Sequence, residues 1–280
     1  MAIKKKALVT LLIGDDYYKV WKTYFKQSWE KYADIHGYDI VIIDDFIDKS
    51  ELAASRSVHW QKCLILEDER VQQYEDIVWL DSDVLINFHR APCIVESNNS
   101  NNIGVVSNSY TFNNDFNIDN CLKRYNDYYA VLGVDNVMFT PQETYEKCGL
   151  DSHGLDYCNT GVLVLKPVLH RDEMKYVYDN YEESEYSAKD EVSISHHIFK
   201  QNLANLLDVR FNMAWPNVLF LNYPFLSMKE NDEDKRLVTF CVNAAWHNAY
   251  FLHFIIAQEA IRHVSLVSQN NSSPFFTLSS

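Results

Sequence analysis

Ile77-Val78-Trp79-Leu80-Asp81-Ser82-Asp83-Val84-Leu85-Ile86 is the stretch from which the fold of this chain is read. Four apolar residues, Ile77 to Leu80, are enough for one buried strand, and they stop abruptly at two aspartates before apolar residues resume. Two carboxylates therefore stand at a strand end. In α/β sheets ligands bind in the crevice outside the carboxyl ends of the strands, so an acidic pair there is placed to hold a divalent cation. Asp81 and Asp83 share one side of an extended segment, and Ser82 between them points elsewhere. A plain turn is the ordinary alternative for an Asp-Ser-Asp triplet. The buried strand in front of it favours the metal reading.

Working back from that strand, Ser55 to Gln73 carries a helical pattern, with Val58, Cys63, Leu64, Leu66 and Val71 on its apolar positions. Before it, Tyr38 to Ile43 reads as a strand ending at Asp44-Asp45. Tyr17 to His36 reads as a helix with Gly37 at its cap, and Ala7 to Ile13 as a buried first strand closed by Gly14. The opening is thus Rossmann-like, β-α-β-α-β, with parallel neighbours. Working forward, Ile103–Val106, Val162–Leu165, Leu206–Val209 and Ala249–Ile256 are strand candidates, and 142–148, Arg171–Tyr181 and Asp190–Gln201 are helix candidates. The expected class is α/β, a nucleotide-binding half over 1–90 running on into a mixed central sheet flanked by helices. Residues 91–265 form its acceptor-binding half, and 266–280 a mobile tail. With no repeat and no linker, 1–280 reads as a single domain.

The chain has 25 basic against 39 acidic residues, a net charge of −14, which argues against nucleic acid as a partner. An anionic substrate would need local help, and a bound cation supplies it. Only 7 glycines occur, and neither G-x-G-x-x-G nor G-x-x-x-x-G-K is among them, which counts against dinucleotide cofactors and P-loop chemistry. The six cysteines show no C-x-x-C spacing, so no zinc knuckle or redox pair is expected. The amino terminus has three lysines before a short apolar run but no small-residue cleavage site, and no stretch reaches the ~20 apolar residues of a membrane span. A soluble, cytoplasmic protein without signal peptide or transmembrane helix is expected.

The order His59-Trp60-Gln61-Lys62, then VWLDSDVLI, then YCNTGVLVLKP at 157–167, then YFLHF at 250–254 resembles a GT-A-fold glycosyltransferase. The likeness is nearest to the galactosyl- and xylosyltransferases that include plant xyloglucan xylosyltransferases, and more distant to the glycogenin type. It runs in order over roughly 5–260, and only the Asp-Ser-Asp region is specific. It implies that Asp81 and Asp83 hold Mn²⁺ (or Mg²⁺) on the diphosphate of a nucleotide sugar, with His253 as third ligand and His247 as its competitor. An oxygen-rich site suits either ion, and an added imidazole favours manganese.

The same resemblance places Lys62 near the donor sugar or phosphate, although a solvated lysine is the ordinary alternative. It places the nucleoside beside Thr10, Ile13, Tyr17 and Asp44, counts Ser82 with the donor site, and turns Asn159 and Gly161 toward the transferred sugar. If the reaction inverts the anomeric centre, a carboxylate must take the acceptor proton; Asp190 or Glu191 at a helix start fits, with Asp156 as the alternative. If it retains, the leaving phosphate oxygen can take that proton. Trp215, Trp246 and Tyr250 are candidates to stack on acceptor sugars, against a core reading of the same aromatics. The function expected is transfer of xylose, or next galactose or glucose, from a UDP-sugar to a glycan hydroxyl. A metal-dependent nucleotidyltransferase and a non-catalytic glycan-binding protein on the same fold are the alternatives.

Overall fold

The computed structural model describes residues 4–108, 118–131, 139–228, 235–255 and 258–264. The expected tail at 266–280 lies outside them. Among the described residues nine strands form two sheets. The larger has the order β2-β1-β3-β6-β5-β7, built from β1 (Lys4–Leu11), β2 (Asp39–Ile43), β3 (Tyr74–Leu80), β5 (Ile103–Val105), β6 (Val162–Leu165) and β7 (Ala204–Leu206). β1 pairs in parallel with β2 and β3, and β6 runs antiparallel between β3 and β5, so the sheet is mixed. The smaller sheet has the order β4-β9-β8, from β4 (Val84–Ile86), β8 (Met213–Ala214) and β9 (Phe251–His253).

Burial on both faces explains the apolar strands. Along β3, Ile77 and Trp79 pack into one layer with the segment Val58–Glu67 and the helix Pro167–Asn180, while Val78 and Leu80 pack into the other. That second layer contains α1 (Asp15–Tyr24), α2 (Lys26–His36) and the helix Lys235–Asn248. Such two-sided cover is what a central, largely parallel strand requires.

Three elements differ from the sequence reading. The helix expected across Tyr17 to His36 is two helices meeting at Phe25, and its end at Gly37 adopts the left-handed cap, φ 72°. The stretch expected as one helix over Ser55–Gln73 is a 3-10 helix, Val58–Glu67, with a short α-helix, Glu69–Gln72. It carries buried residues from Trp60 through Leu66, so it lacks the polar face an amphipathic α-helix would keep. The strand expected at Leu206–Val209 lies earlier, over Ala204–Leu206, and Val209 begins a 3-10 turn. None of the described helices is long and apolar enough to cross a membrane.

Candidate active site

The cleft opens at the carboxyl ends of β1 and β3. Leu11, Ile13, Tyr17, Val58, His59, Lys62, Trp79, Asp81, Ser82 and Asp83 line it. Asp81 and Asp83 occupy the turn between β3 and β4. The antiparallel register pairs Val84 with His253, which brings the imidazole to the residue following Asp83. His253 Nε2 lies 3.0 Å from Asp83 Oδ1 and 3.7 Å from Asp81 Oδ2, and one ligand atom from each of the three residues lies within 4.8 Å of the others. Two carboxylates and an imidazole form a donor set that suits Mn²⁺ or Mg²⁺, and these side chains fit one such ion. His247 stands on the helix Lys235–Asn248, apart from this cluster.

Charge is managed tightly here. Lys62, buried on the 3-10 segment, lies 3.0 Å from Asp190 and 3.3 Å from Asp81, and donates to the hydroxyl and carbonyl of Thr160. Burial alone would strip the proton from such an ammonium, but Asp190 and Asp81 outweigh it and raise its pKa. Burial likewise opposes the Asp81 carboxylate, while Lys62, His253 and the Trp79 indole N–H at 2.9 Å hold its pKa below the ordinary value. For His253 burial favours the neutral ring, yet Asp83 and Asp81 push the pKa up.

Asp190 and Glu191 open the helix Glu191–Lys200 and behave differently. Asp190 is buried, and its Oδ2 is ion-paired to Lys62 without a well-aligned hydrogen bond. Glu191 accepts hydrogen bonds from the Tyr157 hydroxyl and from the Asn159 amide. Its carboxyl is pushed up to about 7, mainly by burial, with Asp190 and Asp81 adding to the shift against Tyr157 and Lys62. Asp156, the third carboxylate candidate, is engaged by the Ser107 hydroxyl and by the amide of Tyr157, so it orders its own loop.

Gly161 proves necessary for a reason spacing could not show. A Cβ there would stand 2.1 Å from His253 Cε1, so only glycine leaves room for the imidazole. Its amide donates to Asn159 Oδ1, and its carbonyl accepts from the amide of Asp81. Asn159 and Gly161 thus sit against the Asp81-Asp83-His253 cluster.

Ile13, Tyr17, Lys62 and Ser82 line the cleft, and Tyr17 is half exposed there. Thr10 does not: alternation along β1 sends Leu11 toward the cleft and Thr10 into the opposite layer, where it is fully buried with its hydroxyl unpartnered. Asp44 follows the edge strand β2 and is exposed, 3.7 Å from Arg70, rather than in the cleft. Trp215 and Trp246 are core residues, each 3% exposed, which removes them as stacking platforms for a sugar; Tyr250 has its ring face covered by Arg210 at 4.2 Å. The sequence reading missed His59 as a cleft residue, although it belongs to the quoted His59-Trp60-Gln61-Lys62 run. It also missed Asn212, which contacts the site from about 40 positions before His253 and leaves no local signal.

No protein-family profile and no curated protein sequence matches this chain. Solved structures do. A glycosyltransferase involved in the glycosylation of the major capsid of PBCV-1 superposes with a TM-score of 0.52 at 14% identity, covering 93% of this chain and 100% of that one. The fold is GT-A. The bifunctional glycosyltransferase WbbM in its apo form also superposes at a TM-score of 0.52, with 11% identity, over 94% of this chain, which spans 50% of that larger protein. Within a GT-A fold, the cleft beyond β1 and β3 is the one into which the Asp81-Asp83-His253 cluster projects.

Proposed function

We propose that this chain is a metal-dependent glycosyltransferase that moves a sugar from a nucleoside diphosphate, UDP first, to a hydroxyl of a glycan. The observation that carries the proposal is the convergence of Asp81, Asp83 and His253 beside buried Lys62 in a cleft of a GT-A fold. Asp81, Asp83 and His253 would hold Mn²⁺, with Mg²⁺ the next choice. When bound, that ion supplies Lewis-acid neutralisation of the charge that develops on the departing diphosphate. Tyr17 and Ile13 line the part of the cleft assigned to the nucleoside. Lys62, held by Asp190 and Thr160, keeps a fixed positive charge where donor sugar and phosphate meet. Glu191 is the better of the two helix-start carboxylates to take the acceptor proton, because Asp190 is committed to Lys62 and a carboxyl titrating at about 7 is matched to a base at neutral pH. Xylose is the first sugar to test, then galactose and glucose.

Donor turnover measured with and without Mn²⁺ discriminates the readings. Release of UDP from a UDP-sugar supports glycosyl transfer. Release of pyrophosphate from a nucleoside triphosphate supplied with a sugar phosphate would move the chain to nucleotidyl transfer, and inertness toward every donor would leave a glycan-binding protein. Asp83→Ala is expected to abolish metal-dependent UDP binding in calorimetry with the fold intact; unchanged affinity would remove this pair of aspartates from the mechanism.

A further inference from the structure

A chain of amide hydrogen bonds runs behind the metal ligands, and its polarity is fixed at each link. Asn212 Nδ2 donates to the Asn159 backbone carbonyl at 3.1 Å and to Asn159 Oδ1 at 3.0 Å. A carbonyl only accepts, so the amide of Asn212 has one orientation, and its Oδ1 must face His253 Nδ1, 2.9 Å away. Nδ1 must then carry a proton. The nitrogen left to face a cation is therefore Nε2, the atom turned toward Asp83 and Asp81. Asn159 is oriented by the same logic: its Oδ1 accepts from the Gly161 amide and from Asn212, which leaves Nδ2 to donate to Glu191. His253 is 2% and Asn212 4% exposed, while Asn159 and Glu191 are half-buried.

We infer that Asn212 is a positioning residue for the metal site: it holds His253 with Nδ1 protonated and Nε2 directed at the carboxylates, and through Asn159 it fixes that ring relative to Glu191. The inference rests on the proposed cation site and deepens it. Hydrogen-bond partners on the far nitrogen of a ligating histidine orient the ring and raise its basicity, and their loss costs 10–100-fold in metal affinity. Asn212 comes from the turn just before β8, whose Ala214 pairs with His253, so the small sheet delivers ligand and orienting amide together.

The test uses the full chain and Mn²⁺ alone, titrated by electron paramagnetic resonance, together with ¹⁵N–¹H correlation spectra of histidine-labelled protein without metal. Asn212→Leu keeps the branched shape and removes both acceptor and donor; a 10–100-fold weaker Mn²⁺ affinity is expected. Asn212→Gln keeps both the acceptor for Nδ1–H and the donor for the Asn159 oxygens and is expected to stay within about threefold of the native affinity, a rescue that a space-filling role would not give. The spectra should show His253 Nδ1 protonated in the native protein and unprotonated or rapidly exchanging in Asn212→Leu. Equal Mn²⁺ affinity in native protein and Asn212→Leu, or a native His253 protonated on Nε2 alone, overturns the inference while the cation site stands. If Asn212→Leu does not fold, the native spectra and Asn212→Gln still decide. Failure of the native chain to bind Mn²⁺ at all overturns both.

Discussion

Glu191 ties structure to a measurable pH dependence. Its carboxyl is raised from 4.5 to about 7, with burial the main cause, so the folded state holds this proton more tightly than the unfolded chain does. The stabilising contribution is complete below about pH 4.5 and is lost as pH rises toward about 7. Activity has the opposite sign, because a base must be deprotonated. Transfer measured as kcat/KM is expected to climb through about pH 7, and Glu191→Gln should lack that limb with a rate roughly 10²–10⁴-fold lower. A native limb unchanged by the substitution would move the proton acceptor elsewhere. Gly161 supplies a steric counterpart. Gly161→Ala should drive the His253 ring off the carboxylates, abolish Mn²⁺ binding in calorimetry and cost about 1–3 kcal/mol in urea unfolding. Asp81 and Asp83 were readable from sequence because one buried strand announces them. Thr10 was misjudged because a strand end does not reveal which face each residue takes, and the aromatic residues Trp215 and Trp246 because sugar platforms and core share a composition.

The three-stranded sheet is where separate parts of the chain become one site. β4 follows directly on Asp83, β9 carries His253 at its end, and β8 follows Asn212. A slip of one residue in the β4–β9 pairing would turn His253 to the other face, so the register decides whether a ligand set exists. α2 helps to fix that register: the Trp29 indole donates to the Val84 carbonyl at 2.8 Å, and Ser28 accepts from the Ile86 amide at 3.2 Å. Trp29→Phe retains most of the apolar contact but leaves that buried carbonyl unpaired. It should cost about 1–3 kcal/mol in chemical denaturation and weaken Mn²⁺ binding in the same protein. Native Mn²⁺ affinity in a destabilised Trp29→Phe would separate the helix from the site. The large sheet was legible because β1, β2 and β3 are continuous apolar runs with turn residues behind them. The 3-10 segment was not, since its buried residues from Trp60 to Leu66 satisfy a helical pattern and a fully enclosed one equally.

Across the whole chain, a net charge of −14 and a cluster of like-charged carboxylates disfavour an anionic substrate until a cation arrives. A ligand that binds only the native state raises its stability by RT ln(1 + [L]/Kd), about 2.7 kcal/mol at one hundred times Kd. Mn²⁺ at that excess should raise the melting temperature by about 4–5 °C, and Asp83→Ala should show no rise. Equal shifts in both proteins would place the ion elsewhere.

Asp83 and His253 lie about 170 residues apart in sequence, so the pairing of β4 with β9 closes about three-fifths of the chain into a ring, and a ring of that length forms only after a large entropic loss. Uptake of the ion is therefore a signal that refolding has finished. In stopped-flow experiments, capture of manganese should lag the recovery of helical circular dichroism, a delay that marks the moment when these two distant strands meet.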